Sequence, residues 1–109
     1  RNYKAAIQAF DNLLSDYLGS EFKEEALYYR FKAAHDFVLK STDRRRLERI
    51  TDAFEAFEKL ERNYPESQFM GDSKVMLSTL QNEQVRVEAI IEKIKAKEEL
   101  VEKENSKDK

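Results

Sequence analysis

Two stretches of this chain repeat each other without a gap, and that repetition limits the folds open to it. At an offset of 47 residues Ala6 pairs with Ala53, Phe10 with Phe57, Leu13 with Leu60, Tyr17 with Tyr64, Ser20 with Ser67 and Phe22 with Phe69. Within each copy the apolar residues fall three and four apart, the spacing of one face of a helix. A duplicated amphipathic unit buries its apolar face by stacking on its neighbour, so the chain reads as a piece of a helical array.

Tyr3, Ala6, Ile7, Phe10, Leu13, Leu14 and Tyr17 predict a first helix from about Asn2 to Tyr17, with Asn2 as its cap and Gly19 at its end. Ser20 can cap a second helix, from about Glu21 to Lys40. Its apolar residues, from Phe22 through Leu27, Tyr28, Phe31 and Phe37 to Val38, are spread over more than one face. A helix apolar on two sides is sandwiched between neighbours. Ser41, Thr42 and Asp43 break the chain, and a third helix carries Leu47, Ile50, Ala53, Phe54, Phe57, Leu60 and Tyr64 until Pro65 stops it.

The small residue, the aromatic four later, the aliphatic three after that and the terminal turn fit the second helix of a tetratricopeptide unit. They are Ala6, Phe10, Leu13 and Leu18, then Ala53, Phe57, Leu60 and Pro65, with Leu18 standing where proline is expected. The offset exceeds the 34-residue tetratricopeptide unit by about thirteen. That surplus falls near Leu39 to Glu48 and lengthens either the helices or a loop.

Beyond Ser67 the only helix breaker is Gly71, so the fourth helix should be long. Leu77, Leu80, Val87, Ile91, Ile94 and Val101 form a three-four ladder interrupted by Gln84 and Glu98. Lys95 with Glu99, and Glu99 with Lys103, stand four apart and support a helix in water. The expected architecture is all-α: antiparallel tetratricopeptide-like helix pairs, about four helices with the last one long, in a superhelical array. Residues 1–91 form the repeats and residues 92–109 a charged helical extension, fraying beyond about Glu104 into a disordered tail. If the ladder is a coiled-coil seam, the module serves mainly to oligomerise.

Charge excludes several roles. The 20 basic and 22 acidic residues nearly cancel, and no basic stripe is interleaved with aromatics, so nucleic acid is not an expected partner. No apolar run approaches the roughly 20 residues that span a bilayer. The absence of cysteine excludes disulfides, thiolate chemistry and a thiol-linked lipid on this stretch. The first helix is in phase from Tyr3 with only Asn2 ahead of it. The chain therefore reads as cut from a longer protein, with any targeting sequence upstream of Arg1.

Catalytic chemistry finds little to stand on, and no enzyme, cofactor or metal is expected. The one histidine, His35, lies inside the second helix beside Asp36. Helix neighbours point about 100° apart, which favours a structural histidine over half of a catalytic pair, with a recognition contact as the alternative. The carboxylate pairs Glu24–Glu25 and Glu98–Glu99 stand near lysines on faces expected to be solvated. Gly19 and Gly71 are isolated, so no glycine-rich loop can cradle a phosphate.

Two features suit protein binding. Arg44, Arg45 and Arg46, followed by Arg49, form a dense basic cluster in the surplus segment, where guanidinium groups can clamp a partner's carboxylates. A solvated helix start is the plainer reading, and lipid headgroups or nuclear targeting are further ones. Phe22, Tyr29 and Lys32 share roughly one face of the second helix, the helix type that lines the concave groove of tetratricopeptide arrays. Phe22 reads first as core, and Tyr29 is the better contact because tyrosine tolerates a half-wet apolar site.

The strings YKAAIQAFDNLLSDYLGSEFKEEALYY and AFEAFEKLERNYPESQF resemble the BamD family of outer-membrane assembly lipoproteins. That family's pattern is met by Tyr3, Ala6, Phe10, Leu13, Tyr17, Ser20, Ala26 and Tyr29, and again by Ala53, Phe57, Leu60, Tyr64, Pro65 and Ser67, over about residues 3 to 80. The Lys-Glu tail after about Glu92 lies outside it. The resemblance implies a C-terminal part of an accessory subunit on the periplasmic side of the outer membrane. Its implied partners are the β-barrel-inserting subunit and unfolded outer-membrane proteins, with membrane attachment only through an upstream lipid anchor. The alternative is another periplasmic tetratricopeptide scaffold, coordinating cell division or peptidoglycan enzymes.

Overall fold

The computed structural model describes residues 2–16, 19 and 21–107, with side chains through residue 106. Four helices follow in order: α1 (Tyr3–Asp16), α2 (Lys23–Leu39), α3 (Asp43–Asn63) and α4 (Met70–Lys107). The expected roles of Tyr17, Leu18 and Ser20 fall outside the described residues.

Local chemistry sets the boundaries. The Asn2 side-chain oxygen accepts from the Ala5 amide at 3.0 Å, capping α1 as its sequence suggests. Glu21 and Phe22 form a turn, and α2 begins two residues later than expected, its first helical bond running from the Ala26 amide to the Phe22 carbonyl at 2.9 Å. Glu24 and Glu25 in its first turn complement the helix dipole. At the end of α3 the Tyr64 amide closes the last turn onto Leu60 at 2.8 Å, and Pro65 forbids another. Ser67 then accepts from the Phe69 amide at 3.1 Å and donates to Glu24 at 2.6 Å, tying the next turn to α2.

The thirteen surplus residues lengthen helices and not a loop. α2 runs 17 residues and α3 runs 21, and only residues 40–42 join them. Arg46 braces this short connection. Its guanidinium donates to the Ser41 carbonyl at 2.9 Å and to the Leu39 carbonyl at 3.0 Å, satisfying groups that the end of α2 leaves open.

α2 is the central element. It packs against α1, α3 and α4, α3 also packs against α4, and among the described residues α1 and α3 do not pack against each other. This is the tetratricopeptide arrangement, with α2 and α4 touching along one side of the array and α1 and α3 on the other. The core joins α2, α3 and α4 through Phe31, Val38, Ile50, Leu60 and Leu80, all essentially inaccessible. Phe31 meets Phe57 edge-on, with ring centroids 5.5 Å apart.

Equal sequence patterns do not give equal burial. Ala53, Phe57 and Leu60 are at most 5% exposed, whereas Ala6 and Phe10 are only half-buried and Leu13 is 39% exposed. α3 lies between α2 and α4, while α1 has α2 on one side alone, so Leu13 does not join the core expected from its spacing.

α4 is a single helix of 38 residues, about 57 Å long. It draws the molecule out to 67 × 25 × 22 Å. Helix continues past Glu104, where fraying was expected, to Lys107. Leu80 and Val87 are buried, and from Glu92 to Ser106 every residue is exposed.

Candidate functional site

The residues expected to bind partners fall into two places, one at each end of α2. Phe22 and Tyr29 stand out from the inner helix, 58% and 44% exposed, so Phe22 is not the core residue its hydrophobicity suggested. Tyr29 is held in a line of rings. It lies 6.4 Å from Phe10 on α1 in a stacked arrangement and 5.1 Å from Tyr28 edge-on, while Tyr28 stacks on Phe69 at 4.4 Å. Burial, with Asp72 nearby, pushes the Tyr28 hydroxyl above its ordinary pKa. The result is a rigid, half-wet aromatic surface across α1, α2 and the turn before α4.

One turn further along α2, Lys32 donates to Asp36 at 3.0 Å, and Nδ1 of His35 lies 2.9 Å from the other oxygen of the same carboxylate. Helix neighbours do meet here, because the short aspartate side chain turns sideways toward the ring. Burial opposes the charge on Asp36, but the hydrogen bonds from His35 and Lys32 outweigh it and hold the carboxyl below its ordinary pKa. The contact is structural: among the described residues His35 has no hydroxyl or thiol partner with which to form a nucleophilic pair.

The arginines lie in the first turn of α3, not in a loop, and they divide. Arg44 is exposed with no hydrogen bond or ion pair among the described residues, and Arg45 reaches only Glu48, at 4.0 Å, with both side chains well exposed. Arg46 turns inward. Besides capping α2 it pairs with Glu83 on α4, and only 18% of its side chain is exposed. Arg49 stacks over the Phe37 ring, 3.9 Å from its centroid.

Around Arg46 a four-member network staples the start of α3 to the middle of α4. Arg86 donates to Asp43 and to Glu83, each at 2.7 Å. Hydrogen bonding from Arg86 holds Asp43 and Glu83 below their ordinary pKa values, aided at Glu83 by a second bond from Arg46. Three arginines in the first turn of α3 oppose its dipole, and these carboxylates offset that cost.

A second cluster also escaped sequence reasoning. Arg30, only 11% exposed, donates to both oxygens of Asp52 on α3, at 2.8 and 3.0 Å, and to Asp11 on α1 at 2.7 Å. It bridges two helices whose backbones stay apart among the described residues. Over it lies an open cleft of about 630 Å³, with Leu27 on its floor and Lys59 and Asn63 along its side. The available sign was a charge inside the apolar string ALYYRFKAAHDFVL, since buried arginine requires carboxylate partners. Which carboxylates serve is a tertiary fact.

Among the described residues no helix is long and apolar enough to cross a membrane. No curated protein and no solved structure matches the chain. One family model does, that of the outer membrane lipoprotein family YfiO, over residues 1–101. It is a family of scaffold lipoproteins and not of enzymes. With nearly its whole length matched and its helices stacked in tetratricopeptide fashion, the chain belongs to the YfiO family of BamD-like outer membrane lipoproteins.

Proposed function

We propose that this chain is a protein-binding scaffold within the outer-membrane β-barrel assembly machinery, on its periplasmic side. There it acts as an accessory subunit that holds the barrel-inserting subunit and incoming unfolded barrel proteins. The observation that carries the reading is family membership across residues 1–101. The surface is compatible with it: Phe22, Tyr29 and Lys32 offer an aromatic face with one cation, and Arg44 and Arg45 present guanidinium groups to a partner's carboxylates. Arg46 belongs to the fold in this reading, because its guanidinium already serves α2 and α4.

A crosslinking pull-down of the full-length protein from its native envelope tests the proposal, with captured proteins identified by mass spectrometry. Recovery of the barrel-inserting subunit is the expected result. Capture of division or peptidoglycan enzymes instead, or of nothing from the outer membrane, overturns it. Reversing Arg44 and Arg45 to glutamate should weaken the capture without lowering the melting temperature, since acidic residues suit the N-terminus of α3.

A further inference from the structure

We propose that the overhanging half of α4 joins two copies of this chain. The two helices lie antiparallel, with the two-fold axis of the pair between Glu99 and Leu100. The inference goes beyond the assembly reading and does not depend on which machinery the chain serves.

It starts from an apolar stripe that outruns its cover. Leu80 and Val87 are buried beneath the α2–α3 layer. At the same three-four spacing Ile91 is half-buried, and Ile94 and Val101 are 50% and 55% exposed, with Glu98 between them. The cover ends where Asp43 and Arg46, in the first turn of α3, reach Arg86 and Glu83. From Glu92 to Ser106 every residue is exposed, over a length of about 22 Å.

Sterics set the direction. In a parallel pair the lower half of the second α4 would enter the space that α3 already fills against Leu80. In an antiparallel pair the overhangs lie side by side and the α1–α3 layers stand at opposite ends. The start of α3 also limits the overlap. A pair slid one heptad further inward would carry Lys107 of one copy to the level of Val85 in the other, where α3 begins.

Charge selects the same register. Along the overhang the residues directly flanking the stripe are Lys95 and Glu102 on one edge and Lys97 and Glu104 on the other. Glu92, Lys93 and Glu99 lie further round the helix. In an antiparallel pair each edge meets its own counterpart. With the axis between Glu99 and Leu100, Lys95 stands against Glu102 of the other copy and Lys97 against Glu104, and the symmetry repeats both pairs. One heptad further inward, Lys95 would face Lys95 and Lys97 would face Lys97. One heptad outward, Glu102 would face Glu102 and Glu104 would face Glu104. The central register pairs unlike charges on both edges, and it overlaps Glu92 to Lys107, the part of α4 that α3 leaves open.

The seam in this register is small. Val101 of each copy lies within about 6 Å, along the axis, of Val101 and Ile94 in the other. Glu98 shares the seam and opposes its closing, so the pair is weak and reversible. The carbonyl end of each α4 approaches the N-terminus of the other copy's α3, where Arg44 and Arg45 are exposed, and the two helix ends attract.

Sedimentation of the full chain over a concentration series is the test. A monomer–dimer equilibrium with a midpoint of tens to hundreds of micromolar is expected, and a monomer up to about 1 mM overturns the proposal. Lys97→Glu alone or Glu104→Lys alone should weaken the pair about tenfold, since each sets like charges together twice, and the two combined should restore it. Equal affinity in the single and double variants overturns the register. Ile94→Gln with Val101→Gln should abolish association with helix content retained, and Glu98→Leu should tighten it. Because the chain has no cysteine, a spin label can be placed uniquely on the outer face through Ala89→Cys or Ala96→Cys. Labels on the two copies should stand about 30 Å apart along the axis at the first site and about 10 Å at the second. Equal separations at the two sites, as a parallel pair gives, overturn the orientation.

Discussion

α2 and α4 hold equivalent places in the array, 47 residues apart, yet their outer faces differ. Leu27, Phe31 and Ala34 of α2 are buried beneath α3, while their counterparts Lys74, Ser78 and Gln81 on α4 are exposed. Val38 is wholly buried and its counterpart Val85 is 67% exposed. On the opposite side the two helices agree, since Ala26 and Ser73 are both buried where each meets the preceding helix. Where a helix covers the face the residues are apolar, and where none does they are polar except at Val85. The far half of α4 differs again, since its stripe has the chemistry of a covered face and no cover.

The largest test of that contrast is truncation. Phe31→Ala or Phe57→Ala should each cost about 3–5 kcal/mol in denaturant melts, enough to unfold a domain of this size, because the two rings fill the α2–α3 contact. Val85→Ala should stay within about 0.5 kcal/mol. Comparable losses at Phe31 and Val85 would mean that the two helices are equally covered in solution.

Arg30 gives the next effect. Its counterpart on α4 is Leu77, so only the sandwiched helix needs a cation facing both neighbours. Arg30→Ala should cost about 1–2 kcal/mol, less than breaking a fully buried pair, since Asp11 and Asp52 are each almost half exposed and water can take them back. Restoration by Asp11→Asn with Asp52→Asn would show that the stranded carboxylates carry the loss.

A smaller effect follows pH. Asp43 and Glu83 have folded pKa values below the ordinary 3.8 and 4.5, so the unfolded chain binds protons first as pH falls. Their contribution is complete above about pH 5 and disappears as pH drops through the folded values. Glu83→Gln should therefore flatten the acid limb of a stability–pH profile. An unchanged acid limb would remove the staple between α3 and α4.

The smallest effect has the opposite sign. The Ser73 hydroxyl is buried without a hydrogen-bond partner, at a place where α2 carries Ala26. Ser73→Ala should leave stability unchanged or raise it by up to about 1 kcal/mol. A clear loss in thermal melts would mean that the hydroxyl has a partner in solution, such as a bound water.

Much of the fold was legible because helices declare themselves locally. The face Leu47–Ile50–Ala53–Phe57–Leu60, the stop at Pro65 and the long run beyond Ser67 each follow from three-four spacing or a missing backbone donor. The candidate site was less legible. Tyr29 stood out by residue type, but whether Phe22 is covered depends on what packs beside the end of α2. Arg44, Arg45 and Arg46 are indistinguishable as a string, yet one caps α2 and pairs with Glu83 while the other two face solvent. Phase around the helix axis decides that, together with the position of a carboxylate 37 residues away.

The sequence alone determined that this chain is four helices in tetratricopeptide order, that its second helix is covered on two sides, and that it carries a family's pattern. Those properties are written in periods of a few residues and in a repeat that survives at 47. The tertiary structure alone decided that the surplus residues lengthen α2 and α3, and that Arg30 joins Asp11 to Asp52. It also decided that Leu13 stays half in water while Leu60 does not, and that the stripe on α4 runs on beyond its cover. Burial and ion pairing depend on which elements end side by side. No local period encodes where a neighbouring helix stops.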